Sequence, residues 1–273
     1  MSFFNSLKGF GRSSKKNKVA NGQQLPQPGN GIYASSQNSS SKASLRRTQS
    51  PSRLNIMSSN HQQSPQTNSN SSVSNPESQE VMYLSEPFVR TALVKGSYKT
   101  IVQLPKYVDL GEWIALNVFE FYTNLNQFYG VIAEYVTADA YPTMNAGPRT
   151  DYLWLDANNR QISLPAGQYI DLALTWINNK VNDQQLFPTK SSIPFPPNFL
   201  RDVQRIMVQM FRIFAHIYHQ HFDKIIHLSL EAHWNSFFAH FISFAKEFNL
   251  IDRREMSPLE PLIDIFEHQG KII

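Results

Sequence analysis

The chain has 273 residues, 25 Lys and Arg against 21 Asp and Glu for a formal net charge of +4, and no cysteine. The missing cysteines exclude disulfides, thiolate catalysis and every zinc site built on sulfur ligands, and they suit an intracellular protein. Nine basic residues against Glu77 and Glu80 give residues 1–80 a net +7 and leave −3 for the rest, so the positive excess is no argument that the folded part binds nucleic acid.

Met1 to Phe10 places Phe3, Phe4, Leu7 and Phe10 among small and basic residues, which reads either as a weak amphipathic element or as a disordered end. From Gly11 to Ser78 the chain is Ser, Asn, Gln and Pro with few aliphatics, too little apolar surface to offset the entropy of ordering. Residues 1–80 are therefore expected to be a disordered, basic regulatory tail. Within it Ser50 has Arg47 three residues before and Pro51 directly after, and Ser64 precedes Pro65; both are candidate phosphorylation sites. No run of about 18 apolar residues occurs, so no membrane span or signal segment is expected.

The folded part is expected over residues 81–273. Pro87 suits the first turn of a short helix reaching about Val94 and ended by Gly96. Asp109 and Glu112 make a capping-box-like start to a long helix reaching Tyr135, apolar around most of its circumference. Its remaining sector carries Asp109, Glu112, Leu116, Glu120, Asn124, Gln127 and Glu134, and reads either as an ordinary wet face or as a dock for a basic helical partner. Residues 137–148 form a loop by their Pro, Gly and Asn content. Tyr152 to Leu155 and Arg160 to Ser163 flank a polar turn and predict a short hairpin. Helices follow from about Ala166 to Asn182, from Asn198 to Asp223, through the phenylalanine-rich stretch of Phe237, Phe238, Phe241, Phe244 and Phe248, and from Pro258 to Glu267. The expected fold class is all-α: a single helical bundle, a four-helix core plus extra helices, with one short β-hairpin.

Between Asn198 and Asp223 the helical wheel puts Ile206, Met210, Ile213, Phe214 and Ile217 on one side and Arg201, Arg205, Arg212, His216 and His219 on the other. The basic ridge is either a solvated face or an anion site. His216, His219 and His221 also invite a metal, and a metal-dependent hydrolase is the rival function. However, His216 and His221 stand about 140° apart on a straight helix, so sharing an ion needs a distorted helix and further ligands. The HExxH, GxxxxGK[ST], GxSxG and GxGxxG signatures are absent, so no catalytic function is expected.

The stretches LGEWIALNVFEFYTNLNQFYG, PTMNAGPR, LFPTK, PFPPNF, FRIFAHIYHQHFD and EFNLIDRREMSPL, in this order over residues 98–262, resemble the Mob (Mps-one-binder, or phocein) family. The DYLWLDANNRQ hairpin and the Ser/Asn-rich tail bring the match closest to the family's mitotic-exit branch in budding yeasts. The resemblance implies a non-catalytic kinase coactivator. It would bind the N-terminal regulatory region of an NDR/LATS-family Ser/Thr kinase and dock phosphorylated peptides of a scaffold or upstream kinase, in mitotic exit and cytokinesis, with no nucleic acid, no membrane insertion and no cofactor. The implied locations are cytoplasm, spindle pole body and bud neck, with the nucleus as a further compartment. Carried over by position, Asp109, Glu112, Trp113, Leu116 and Glu120 form the kinase-binding surface and Arg212 belongs to the phosphopeptide pocket. The Lys-Arg pair of many animal members is Val208-Gln209 here, which brings forward Arg205, and after it Arg201, as substitutes, with His219 as a further phosphopeptide-binding candidate. Many members hold zinc through two cysteines and two histidines. The histidine positions are His216 and His221, but the cysteine positions read Val136 and Tyr141, so no zinc is expected, Asp139 being the one nearby carboxylate for a weaker site.

Overall fold

The computed structural model describes residues 81–190 and 192–272; the expected tail, Ser50 and Ser64 lie outside the described residues. Among the described residues there are seven α-helices: α1 (Lys99–Val102), α2 (Leu110–Ile132), α3 (Ala166–Val181), α4 (Phe199–Gln220), α5 (Phe222–His227), α6 (Glu231–Glu247) and α7 (Glu260–His268). A two-stranded antiparallel hairpin, β1 (Trp154–Leu155) and β2 (Gln161–Ile162), pairs Trp154 with Ile162 and Leu155 with Gln161. The four long helices α2, α3, α4 and α6 form the expected bundle.

Helix α2 begins where Asp109 stays extended and its Oδ1 accepts from the backbone N–H of Gly111 at 2.8 Å and of Glu112 at 3.1 Å, closing two otherwise unpaired donors. It runs into a 3₁₀ turn at Ala133–Tyr135. The hairpin turn is held by Asp156, whose Oδ1 accepts from Asn158 N and Arg160 N, with Asn159 left-handed at φ 58°.

Two expectations are corrected. In place of a helix from Pro87 to Val94 there is a single 3₁₀ turn at Phe88–Arg90, preceded by another at Met82–Leu84. Here α6 side chains take the backbone groups that a helix would have paired internally: Asn235 Nδ2 donates to the carbonyls of Phe88 and Thr91, each at 2.9 Å, and the Ser236 hydroxyl accepts from Leu93 N. Likewise, the helix expected to reach Asp223 stops at Gln220, because His221 leaves the helical region at φ −132°, and α5 starts afresh.

One face of α4 lies entirely inside. Ile206, Met210, Ile213, Phe214 and Ile217 have no exposed surface, and Phe214 is surrounded by Trp234, Phe237, Phe238 and Phe241 of α6 with ring centroids 4.7 to 5.3 Å away. Tyr218 donates to Asn235 Oδ1 at 2.9 Å, which links α4 to the same asparagine that holds the segment before α1. Truncating an aromatic at such a centre costs about 3–5 kcal/mol.

His240 of α6 stacks on Tyr98 at 5.5 Å and meets Phe121 of α2 edge-on at 4.9 Å. Burial among these rings pushes its pKa down to about 4. The unfolded chain therefore takes up this proton near pH 6.5 and the folded chain only near pH 4, so the stability is full above pH 6.5 and is lost as pH falls toward 4. Urea unfolding between pH 7.5 and pH 4.5 should show a loss to which His240 contributes on the order of 3 kcal/mol. His240→Phe should make that slope shallower; an unchanged slope contradicts the assignment.

Candidate functional site

Two surfaces on different helices collect the candidate residues. The first is the outer side of α2. Its inner side buries Ile114, Val118, Phe121, Leu125 and Phe128, whereas Leu116 is 53% and Phe119 46% exposed, with Glu112 and Glu120 exposed beside them. The segment leading into α2 extends this patch with Ile101, Leu104, Val108 and Leu110, all more than a third exposed, and with Tyr107, fully exposed and left-handed at φ 67°. Large apolar side chains gathered between carboxylates are what a basic amphipathic partner would cover. Of the five residues carried over to this surface, Glu112, Leu116 and Glu120 project outward. Asp109 is the helix cap, and the half-buried Trp113 donates from Nε1 to the Val102 carbonyl at 3.1 Å, tying α1 to α2. The apolar approach from Ile101 to Val108 was missed in the sequence because it lacks helical periodicity.

The second surface is a cleft of about 770 Å³ on the outer side of α4. Arg201, Arg205, Val208, Gln209 and Arg212 form its floor; Leu153, Trp154 and Leu155 of the hairpin and Trp176 of α3 form one wall; Leu250, Asp252 and Glu255, beyond α6, form the other. All three arginines named from the wheel therefore line one cavity. Their states differ. The Arg205 side chain is 67% exposed, with only a 3.9 Å contact to Asp202. Arg212 Nη1 donates to the Tyr169 hydroxyl at 3.2 Å, its Nη2 meets Glu255 Oε2 at 3.3 Å, and its guanidinium carbon lies 5.2 Å from the Tyr152 ring centroid. Burial works against its charge, but Tyr169 and Glu255 more than offset that and raise its pKa. The same burial pushes the Tyr152 hydroxyl up. Tyr169, Tyr152, Trp176 and Glu255 were not foreseen, since they come from three separate segments.

The histidines are a correction to the ridge. His216 has no exposed surface, and its Nδ1 faces the Asn145 carbonyl at 2.7 Å. His219 does not line the cleft: its Nε2 is 2.9 Å from the Pro258 carbonyl and 3.1 Å from the Tyr83 hydroxyl. Both turn inward because α4 ends against the loop around Asn145 and the 3₁₀ turn at Tyr83, not against solvent.

The break at His221 brings its Nε2 to 3.2 Å from His216 Nε2, near the roughly 3.3 Å edge expected of two nitrogen ligands on tetrahedral zinc. The rest of the ligand set does not fit. Among the described residues no three of His, Asp or Glu gather as a metal site. Val136 is a buried hydrocarbon, and the Tyr141 ring packs on His221 at 4.3 Å while its hydroxyl donates to the Gln220 carbonyl. The pair closes instead as a hydrogen bond. His216 Nδ1–H donates to Asn145, so His216 Nε2 is a lone pair that accepts from His221 Nε2–H. Burial drives both pKa values down to about 4, keeping both rings neutral. Elemental analysis of the purified chain should find well under one zinc per molecule; a stoichiometric metal would contradict this. In the same preparation Asp109→Ala should lower stability by about 1 kcal/mol in urea, as loss of a cap does.

The profile of the Mob1/phocein family matches residues 90–259, and the chain belongs to that family. It is 71% identical to the CBK1 kinase activator protein MOB2 of Saccharomyces cerevisiae, over all of this chain and 99% of that one. It is 52% identical to the protein of the same name in Candida albicans, over 100% and 98% of the two chains, and 57% identical to the maintenance of ploidy protein mob2 of Schizosaccharomyces pombe, over 70% and 78%. Membership places the chain among non-enzymatic regulators. No helix among the described residues is long and apolar enough to cross a membrane.

Proposed function

We propose that this chain is a non-catalytic kinase coactivator that holds the basic N-terminal regulatory segment of an NDR/LATS-type Ser/Thr kinase on the outer face of α2 and a phosphorylated scaffold or upstream-kinase peptide in the α4 cleft. The observation that carries it is the α2 patch, where Leu116 and Phe119 stay exposed between Glu112 and Glu120 although the opposite side of the same helix is buried. A basic amphipathic helix would cover the apolar pair and meet the carboxylates. The relatives' name, kinase activator, supports a kinase as that partner.

For the cleft, support comes from three arginines over an apolar wall, since planar guanidiniums grip phosphate oxygens with charge-assisted, often bidentate bonds. The proposed setting is mitotic exit and cytokinesis, at spindle pole body and bud neck as well as in the cytoplasm and nucleus, with Ser50 and Ser64 as points of phosphorylation. For the mitotic-exit part the support is the sequence resemblance alone, because the full-length relatives are named for CBK1 kinase.

The test is a pair of charge changes read against two ligands. Glu112→Lys with Glu120→Lys should weaken capture of the kinase's N-terminal segment about tenfold, about 1.4 kcal/mol, and leave phosphopeptide binding intact. Arg205→Ala with Arg212→Ala should do the reverse. Equal binding of phosphorylated and unphosphorylated peptides, or kinase capture indifferent to the α2 reversal, would overturn the corresponding half.

A further inference from the structure

Both terminal nitrogens of Arg212 are held by protein groups, and its buried Nε has no partner in this structure. Glu255 takes one nitrogen at 3.3 Å and the Tyr169 hydroxyl another at 3.2 Å, while the Tyr152 ring lies across the guanidinium. Tyr169 is itself fixed, donating to Gln209 Oε1 at 2.9 Å and meeting Trp154 edge-on at 5.4 Å. Of these contacts only Glu255 can leave at modest cost: its side chain is 39% exposed, and it stands on the irregular stretch between α6 and α7, so it can return to water. Arg205 is the more open cation of the cleft.

We propose that Glu255 is a specificity-determining residue of the α4 cleft, an internal counter-ion on Arg212 that a phosphate dianion displaces and a single carboxylate does not. The inference rests on the phosphopeptide reading given above. A peptide carboxylate arriving at Arg212 exchanges one negative charge for another and still carries the entropic cost of ordering the ligand. A phosphomonoester brings about −1.5 to −2 charges and three acceptor oxygens, so it out-competes Glu255 and has oxygens left for Arg205. Asp252, on the same wall as Glu255, adds to the field that repels weak anions. Glu255 therefore sets a threshold: the cleft responds to phosphorylation and ignores merely acidic peptides.

The experiment uses the full chain and three labelled peptides of one leucine-flanked sequence, carrying phosphothreonine, glutamate or threonine at the centre, with affinities read by fluorescence anisotropy. Wild type should prefer the phosphothreonine peptide to the glutamate peptide. Glu255→Gln should tighten the glutamate peptide roughly fivefold, the scale of one partly exposed charge pair, and narrow the preference. A preference unchanged in Glu255→Gln, while Arg212→Ala abolishes phosphopeptide binding, overturns the role of Glu255 and leaves the cleft reading standing. Equal tightening of both anionic peptides overturns it as well, since that is a general charge effect. Absence of phosphopeptide preference in wild type and Glu255→Gln alike removes both readings.

Discussion

The packing of Phe214 against Trp234, Phe237, Phe238 and Phe241 fixes which side of α4 turns inward, and the placement of the cleft follows from it. With Ile206, Met210, Ile213 and Ile217 sealed on the same side, α4 cannot rotate without exposing its whole apolar face. Arg205 and Arg212 are thereby held on the cleft side of the helix, facing the hairpin and α3. The end of the helix is constrained in the same way, because the break at His221 folds one imidazole back onto another and packs the Tyr141 ring against it.

Helix α2 repeats the logic with the opposite sign. Its inner residues are consumed by the core, and what remains outside is a strip of leucine and phenylalanine between carboxylates. Two surfaces of unlike charge, each anchored by the buried side of its own helix, are the basis for the proposal that the chain holds two different ligands.

Much of this was legible in the sequence wherever periodicity was strong. The 3.6-residue pattern of α4 revealed its buried face and Arg205 and Arg212 beside each other, and Asp109 announced the start of α2. Failures occurred where side chains from distant segments decide the outcome. The stretch after Pro87 looks helical on its own, but Asn235 and Ser236, more than 140 positions away, take its backbone partners. His216 and His219 share the wheel sector of the arginines, yet the loop around Asn145 and the turn at Tyr83 cover that end of the helix, which no local pattern encodes. Glu255 lies 43 positions from Arg212, and its contact arises only from the way the chain returns after α6. Exposure of Tyr107 and Leu104 was equally invisible, since an irregular segment has no face to predict.

On the proposed reading the two faces are independent and can be occupied together. Isothermal titration of the full chain with the basic N-terminal segment of an NDR/LATS-type kinase, without and then with a saturating phosphothreonine peptide, measures it directly. The account predicts one kinase segment per chain with the same affinity in both titrations. Displacement of one ligand by the other would contradict it.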